Sequence, residues 1–428
     1  MTRNNKGVAG WLLYRLVSNY WSLAVVAVVS APIFAGLVLW LDRSGLTDWL
    51  LEQGLSPVAS AETARDFAGV AAGVNAAFVT LYFSITLIVL SLAAGNLGVR
   101  LIDRWLEKLL VRVSISGLSF SLIVSLFAML AIDADMELAE VPLGLLIAVF
   151  VLQLVNIAML AVALHDLGRT MFVDTSIGAL ARDAEATISR IEGRKVDGID
   201  WAQTLEAPGS GYVEGNDLET LRALTRGHSG ALKVCAAPGQ FVLKGEPVLQ
   251  FENVIANEEG LLACVPLGDY RSDAQGSVFQ IRLLVEIAAR ALSPAINDFY
   301  TAIASADSLT HAMAEHFDSW IEEGEVAVEP ERPQILLPGR DFRSLFNDPL
   351  SAFRQAACDY PSVSIRMIGN YGKLIARAQS KGRSAGLIEY LEGLAGALAS
   401  HAREVTEHAR DREDIQRALE QARKAPIA

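Results

Sequence analysis

The stretch FAGVAAGVNAAFVTLYFSITLIVLSLAAGNLGV, residues 67–99, runs for thirty-three residues without a charged side chain. A helix rises about 1.5 Å per residue, so such a run reaches roughly 50 Å, beyond the roughly 30 Å hydrocarbon core of a bilayer. It is the longest of four uncharged stretches, all within the first 165 residues, that predict spanning helices at 21–41, 67–94, 113–132 and 141–164. Each holds twenty or more residues without Asp, Glu, Lys or Arg, the mark of a spanning helix rather than a buried core helix. The first is too long for a signal core, and no small-residue cleavage site follows it. With 52% apolar residues and a mean hydropathy of +0.33, the 428-residue chain fits a membrane domain followed by a larger domain in water.

Basic residues near the span ends give an orientation. Arg3, Lys6 and Arg15 precede the first span, and Arg100, Arg104, Lys108 and Arg112 separate the second from the third. Between the third and fourth stand only acids, Asp133, Asp135, Glu137 and Glu140, whereas Arg169, Arg182, Arg190, Arg194 and Lys195 follow the fourth. The alternation predicts cytoplasmic N- and C-termini and a multi-pass membrane protein. Of the net charge of −13, the first 165 residues carry nine bases against eleven acids, so most of the negative charge lies beyond them. An acidic cytoplasmic domain argues against nucleic acid as a partner. Cys235, Cys264 and Cys358 are far apart and form no C-x-x-C pair, so they predict neither a zinc site nor a redox motif.

Within the second span, small and weakly polar residues recur at helical spacing: Gly69, Gly73, Ala77, Thr80, Ser84, Ser91 and Gly95. The third span repeats the theme with Ser114, Gly117, Ser121, Ser125 and Ala128. Small residues let helix backbones approach in lipid, so packing of spans two and three, or of neighbouring subunits, is the plain reading. The alternative is a pore lining with Thr80 and Ser84 facing the path. No intramembrane acid or base marks a pump; Asn75, Gln153 and Asn156 are the nearest polar candidates. Residues 98–112 are amphipathic, with Arg100, Arg104, Lys108 and Arg112 as a basic ridge. They predict an interfacial helix whose bases meet lipid headgroups or surround a pore mouth.

Beyond the spans, residues 166–208 predict a helical connector, 209–255 a small β unit, and 256–428 a mainly helical part. Strand signals at 211–213, 231–235, 241–243 and 248–251 alternate with Gly and Pro turns, and Asp217 is placed to cap a short helix. The P-G-x-F-V-x-x-G-x-P-V-L pattern from Pro238 is similar to the biotinyl-lipoyl-like barrel of carrier domains. Lys244 lacks the neighbouring Met of a modified lysine and reads as a solvated turn residue. The fold class expected is therefore a four-helix membrane domain plus an α+β cytoplasmic domain with a barrel-like unit and a helical C-terminal part.

Arg282, Glu286 and Arg290 share one helical face, permitting ion pairs around one carboxylate. With Asn297 and Asp298 they form a candidate ligand or subunit contact; the plain alternative is a structural ladder with Asn297 or Asp298 capping the next helix. Residues 329–349, with four prolines, predict a linker or an extended crossing. His401, Glu404 and His408 could share a face, but a run so charged is more often a solvated helix. No metal site and no cofactor are expected, and no Walker loop, H-E-x-x-H, G-x-S-x-G or kinase signature appears, so no enzyme is expected.

The stretch Leu283-Leu284-Val285-Glu286-Ile287-Ala288-Ala289-Arg290-Ala291-Leu292-Ser293-Pro294-Ala295-Ile296-Asn297-Asp298, followed by Thr301-Ala302, resembles the hallmark of a bacterial family. That family is the predicted membrane proteins of domain-of-unknown-function family 2254. Phe83-Ser84-Ile85-Thr86-Leu87 and the β unit from Ser210 to Phe251 are also similar to it, whereas Leu97-Gly98-Val99-Arg100 departs from the Ser-Pro-Arg that members more often carry. The resemblance implies an inner-membrane protein with a large cytoplasmic domain and supplies no activity. Two functions remain open on the residues: a homo-oligomeric channel or passive conduit with a cytoplasmic vestibule or gate, or a membrane-anchored sensor or scaffold. Membrane lipids are the partners expected, with an ion or small ligand of unknown identity.

Overall fold

The computed structural model describes residues 21–97, 108–170, 173–186, 191–196, 198–272 and 275–424. The chain divides into two compact units, one built from the spans and one from residue 173 onward.

Four helices of the first unit are long and apolar enough to cross a membrane. Helix α1, Ser22–Leu41, continues through a kinked turn at Gly45 (φ 110°) into the short α2, Thr47–Glu52. Helices α3 (Ala61–Leu97), α4 (Leu109–Ala131) and α5 (Leu143–Thr170) complete the bundle. Residues 98–107 of the expected interfacial helix lie outside the described residues. Leu109–Arg112, assigned to its end, belong instead to the first turn of α4, because the apolar run of that span starts a turn earlier than its last charge suggests.

Small residues hold the bundle together. Ala31 and Ala35 of α1, Ala64 and Ala68 of α3, and Ala128 of α4 are fully buried in one cluster with Leu145 and Leu146 of α5. A second cluster gathers Tyr82, Leu118, Ala163 and Leu167. Gly117 of α4 lies where a Cβ would meet the Met159 methyl of α5 at 3.0 Å. Lipid tails offer no hydrophobic drive for association, so this close packing supplies the attraction.

The second unit opens with helix α6, Val173–Ala186. A six-stranded sheet follows in the order β1-β8-β9-β4-β6-β2, with β1 Glu192–Arg194, β2 Gln203–Glu206, β4 Leu232–Val234, β6 Pro247–Phe251, β8 Val326–Glu329 and β9 Arg332–Leu336. Its pairs are antiparallel except β4 with β9, where Leu232 stands opposite Ile335. A three-stranded sheet orders β5-β3-β7, Phe241–Val242, Gly211–Val213 and Leu267–Gly268. Both sheets are open, so no closed barrel forms among the described residues. The 209–255 segment pairs with strands far outside itself and does not close on its own ends.

Two short helices accompany the sheets: α7, Leu218–Leu224, and α8, Glu258–Leu262. Asp217 caps α7 by accepting from Thr220 N at 2.9 Å. The helical part comprises α9 (Ser277–Ala291), α10 (Phe299–Glu315), α11 (Phe342–Ala357), α12 (Pro361–Ser380), α13 (Ala385–Val405) and α14 (Ala409–Arg423). Residues 329–349 are therefore the extended crossing rather than a linker, though they end in a helix. They hold the end of β8, all of β9 and the start of α11, with Pro349 buried inside that helix. Gly372 lets α12 approach α14 so closely that a Cβ there would lie 2.8 Å from Ala422 Cα.

Candidate functional site

The small-residue stripe of α3 faces outward. Gly73, Ala77, Thr80, Ser84, Ser91 and Gly95 are exposed on the single chain, and Gly69 is half-buried. A Cβ at Gly73 or Gly95 would meet nothing within 4 Å, and one at Gly69 only Met129 Sδ at 3.9 Å. The face that packs within the chain is the other one, with Ala61, Ala64, Ala68, Ala71 and Asn75. Packing of spans two and three inside one chain therefore reaches the stripe only at Gly69. Its hydroxyls are satisfied locally: Thr80 donates to Ala76 O at 2.9 Å, Ser84 to Thr80 O at 2.8 Å and Ser91 to Leu87 O at 2.8 Å. In the third span the same residue types turn inward, and Ser114, Ser121, Ser125 and Ala128 are buried.

Inside the bundle a polar chain links three helices. Asn156 Nδ2 donates to Asn75 Oδ1 at 3.0 Å, Asn75 Nδ2 to Ser125 Oγ at 3.1 Å, and Ser125 Oγ to Ser121 O at 2.8 Å. Asn75 and Asn156 are each 1% exposed. Gln153 shares the Asn156 face one turn away, and both of its side-chain polar atoms are enclosed without a partner. The acid that matters most sits at a helix end. Asp42 accepts from Gly144 N at 2.8 Å and Leu145 N at 3.0 Å, capping α5 from the turn after α1, and Thr47 Oγ1 donates to it at 3.1 Å. Only glycine fits at 144, since a Cβ would come within 2.5 Å of Asp42 Oδ1.

Of the basic ridge, Arg100 and Arg104 lie outside the described residues. Lys108 Nζ pairs with Asp166 Oδ2 at 3.1 Å, tying the start of α4 to the end of α5. Arg112 is buried, with Nη2 3.4 Å from Ser22 Oγ of α1. Both cations thus make contacts within the bundle.

In the second unit, the residues 291–298 form a corner between α9 and α10. Ile296 N and Asn297 N donate to Ser293 O at 3.1 and 2.9 Å, and Asp298 N to Ala291 O at 2.7 Å. Asn297 takes a left-handed φ of 52°, a conformation that Asn tolerates better than most side chains. Asp298 caps α10, accepting from Thr301 N at 3.1 Å and Thr301 Oγ1 at 2.6 Å. Glu286 and Arg290 pair at 3.5 Å, while Arg282 Nη1 donates to Gly239 O at 3.2 Å. The five candidates therefore divide among a corner, a cap, a surface pair and a brace on the β unit.

The remaining constellations separate likewise. His401 Nδ1 lies 2.9 Å from Arg354 Nη1, and the helix breaks at 406–408, so His408 starts α14 instead of sharing a face with His401. Among the described residues no group of three His, Cys, Asp or Glu could hold a metal ion. Burial pushes the Cys264 thiol up to about 12, with the Asp217 charge adding to the effect, so it stays protonated near neutral pH. Lys244 sits exposed in its turn, its backbone N–H donating to Ser210 Oγ at 2.9 Å.

A family profile described as predicted membrane protein (DUF2254) matches residues 17–371, from the first span through the corner and into α12. The chain belongs to that family. Two curated relatives, both described as uncharacterized proteins, come from Mycobacterium bovis and Mycobacterium tuberculosis. Each is 26% identical over 291 residues, covering 61% of this chain and 53% of the relative. The chain thus spans about half the length of these mycobacterial relatives. No solved structure matches it. In this member of DUF2254, the corner at 291–298 turns the backbone between two helices: α9 ends at Ala291, Asn297 takes the left-handed turn and Asp298 caps α10.

Proposed function

We propose that this chain is the subunit of an oligomeric, passive conduit in the bacterial inner membrane, with both termini in the cytoplasm and the second unit regulating it. The observation that carries the reading is the outward turn of the α3 stripe. Among the described residues, alanines and leucines fill one part of the bundle interior to near-zero exposure, which favours a path elsewhere. The conduit in this reading lies between copies, and the surface suited to line it combines low bulk with weak polarity. Each back-bonded hydroxyl keeps acceptor capacity for water, so Thr80, Ser84 and Ser91 suit a wet wall without an unsatisfied donor. Gly73 and Gly95 would let neighbouring helices come close.

Ion flux through purified protein in liposomes, with voltage and membrane tension varied, tests this. Thr80→Leu is expected to abolish a conductance that the wild-type protein carries, while leaving the fold intact. Silence from wild-type protein shown to be folded and oligomeric would abandon the conduit, as would a flux indifferent to Thr80→Leu.

A further inference from the structure

Helices α11 and α13 run side by side in the same direction. Phe342 meets Tyr390 near their starts, ring centroids 6.1 Å apart, and Arg354 meets His401 near their ends. The two contacts differ in kind. The first is a cluster of rings, in which Trp320 lies 5.5 Å from Tyr390 and the Arg343 guanidinium sits 4.3 Å from the Trp320 centroid. In the second, Arg354 Nη1 donates to His401 Nδ1 at 2.9 Å, and both residues are half-buried.

This second bond fixes a protonation state. A guanidinium offers only N–H donors, so Nδ1 accepts, and an imidazole with an accepting nitrogen is neutral. A proton arriving at Nδ1 removes the acceptor and sets two cations against each other. Among the described residues neither Arg354 nor His401 forms an ion pair, so no carboxylate shields them.

Charged groups on the elements packed against α13 are engaged elsewhere or face water. On α13 itself, Glu404 accepts from Ser400 Oγ at 3.4 Å and Arg403 Nη1 donates to Gln416 Oε1 at 2.8 Å. On α12, Arg366 and Arg377 pair with Asp307 and Glu315 of α10, and Lys373 Nζ donates to Asn370 Oδ1. On α14, Arg412 Nη1 donates to Thr406 O at 3.4 Å, Asp411 lies 4.0 Å from His408, and Asp414 pairs with Arg417. Arg410 and Glu413 of α14 are exposed, as are Asp359 and Glu407 in the turns after α11 and α13. Cys358, at the end of α11, has its thiol pushed up chiefly by burial and stays neutral.

We propose that the Arg354–His401 contact is a proton-released latch, holding the ends of α11 and α13 together while His401 is neutral and parting them once the ring is protonated. Histidine is the side chain that ordinarily changes charge between about pH 5 and 8, so the latch answers to mild acid. Half burial leaves the ring open to protons. At the other end, burial pushes the Tyr390 hydroxyl up to about 12, so the aromatic contact does not titrate in this range and serves as the hinge. The contribution of the latch is present in neutral and weakly basic solution and is lost as the pH falls. It requires no conduit and stands or falls separately from it.

The test uses the full chain in detergent, with thermal midpoints read at about pH 8 and about pH 5.5. At the higher pH Arg354→Leu removes a bond and should lower the midpoint by about 2 °C. At the lower pH it removes a repulsion, and that loss should vanish or turn into a gain. In a His401→Gln background, whose amide oxygen accepts at either pH, Arg354→Leu should cost the same at both. Other histidines are common to both members of each comparison, so their titration cancels. The proposal is overturned if Arg354→Leu costs as much at the lower pH as at the higher, or if the pH dependence survives in the His401→Gln background. Should Arg354→Leu fail to fold, His401→Gln alone decides: its midpoint should gain on the wild type as the pH falls, and a constant difference overturns the latch equally.

Discussion

The two units use polar side chains in opposite ways. In the membrane unit the polar contacts between helices are few and enclosed and join groups far away in sequence, as Asp42 is joined to Gly144 and Leu145. In the second unit they are many and lie near water. Asp307 accepts from Nε and Nη2 of Arg366 at 2.8 and 2.7 Å and from the Asn370 amide at 2.7 Å, yet the pair stays more than a third exposed. Water competes for the second kind of contact and hardly at all for the first, so bonds of similar length differ in worth. The bundle concentrates its specificity in a handful of residues, whereas the helices in water spread it thinly.

Removing the helix cap should give the largest effect. Asp42→Ala leaves the Gly144 and Leu145 N–H groups without their acceptor and should cost about 2 kcal/mol. The midpoint of SDS unfolding in mixed micelles reads it, and Asp42→Asn, which keeps one acceptor oxygen, should lose less. A change below about 0.5 kcal/mol in Asp42→Ala would erase the contrast between the units. The interhelical amide chain should come next. A double-mutant cycle with Asn75→Ala and Ser125→Ala should return a coupling of about 0.6 kcal/mol and no more than about 1.7 kcal/mol. Additivity would mean that the two groups find equal partners when apart.

The surface network should give the smallest effect, with a signature in pH. Burial alone would raise the Asp307 carboxyl, but hydrogen bonds from Arg366 and Asn370 and the nearby Arg366 and Lys373 charges hold it below the ordinary carboxylate range. A depressed native value stabilises fully above the unfolded value of about 3.9 and loses that contribution as pH falls through the native one. Asp307→Asn should therefore cost between about 0.2 and 1 kcal/mol near neutral pH. That difference should shrink as the pH is taken below about 4. A difference that grows in acid would reverse the assignment.

The sequence revealed these regions unequally, for physical reasons. Long uncharged runs can hardly be anything but spans, and four helices of spanning length stand where they were expected. Caps such as Asp217 and Asp298 were legible because they act within three residues. Long-range pairing was not. Nothing local in Asn75 names Asn156 or Ser125 as partners, and nothing in Asp42 points to a helix that starts about a hundred residues later. The outward turn of the α3 stripe was hidden for the same reason, since alanines at 61, 64, 68 and 71 compete for the inward face and win it. The prolines of residues 329–349 left a linker and an extended crossing both open; one lies buried in α11 and another in β9, where only Ile335 and Leu336 pair with β4. At the candidate sites, Arg282 and Asp298 were visible as chemistry, though not the separate contacts that each makes.

The place of β9 in the six-stranded sheet has a consequence for how the chain is born. Strands β2, β4 and β6 leave the ribosome early, but β4 must wait for β9 about a hundred residues downstream, and the β8–β9 hairpin then slots between β1 and β4. At about 5–20 residues per second, that interval lasts roughly 5 to 20 seconds. Throughout it, one rim of the nascent sheet stands open to any passing strand, and its closure awaits translation of the segment that reaches Leu336.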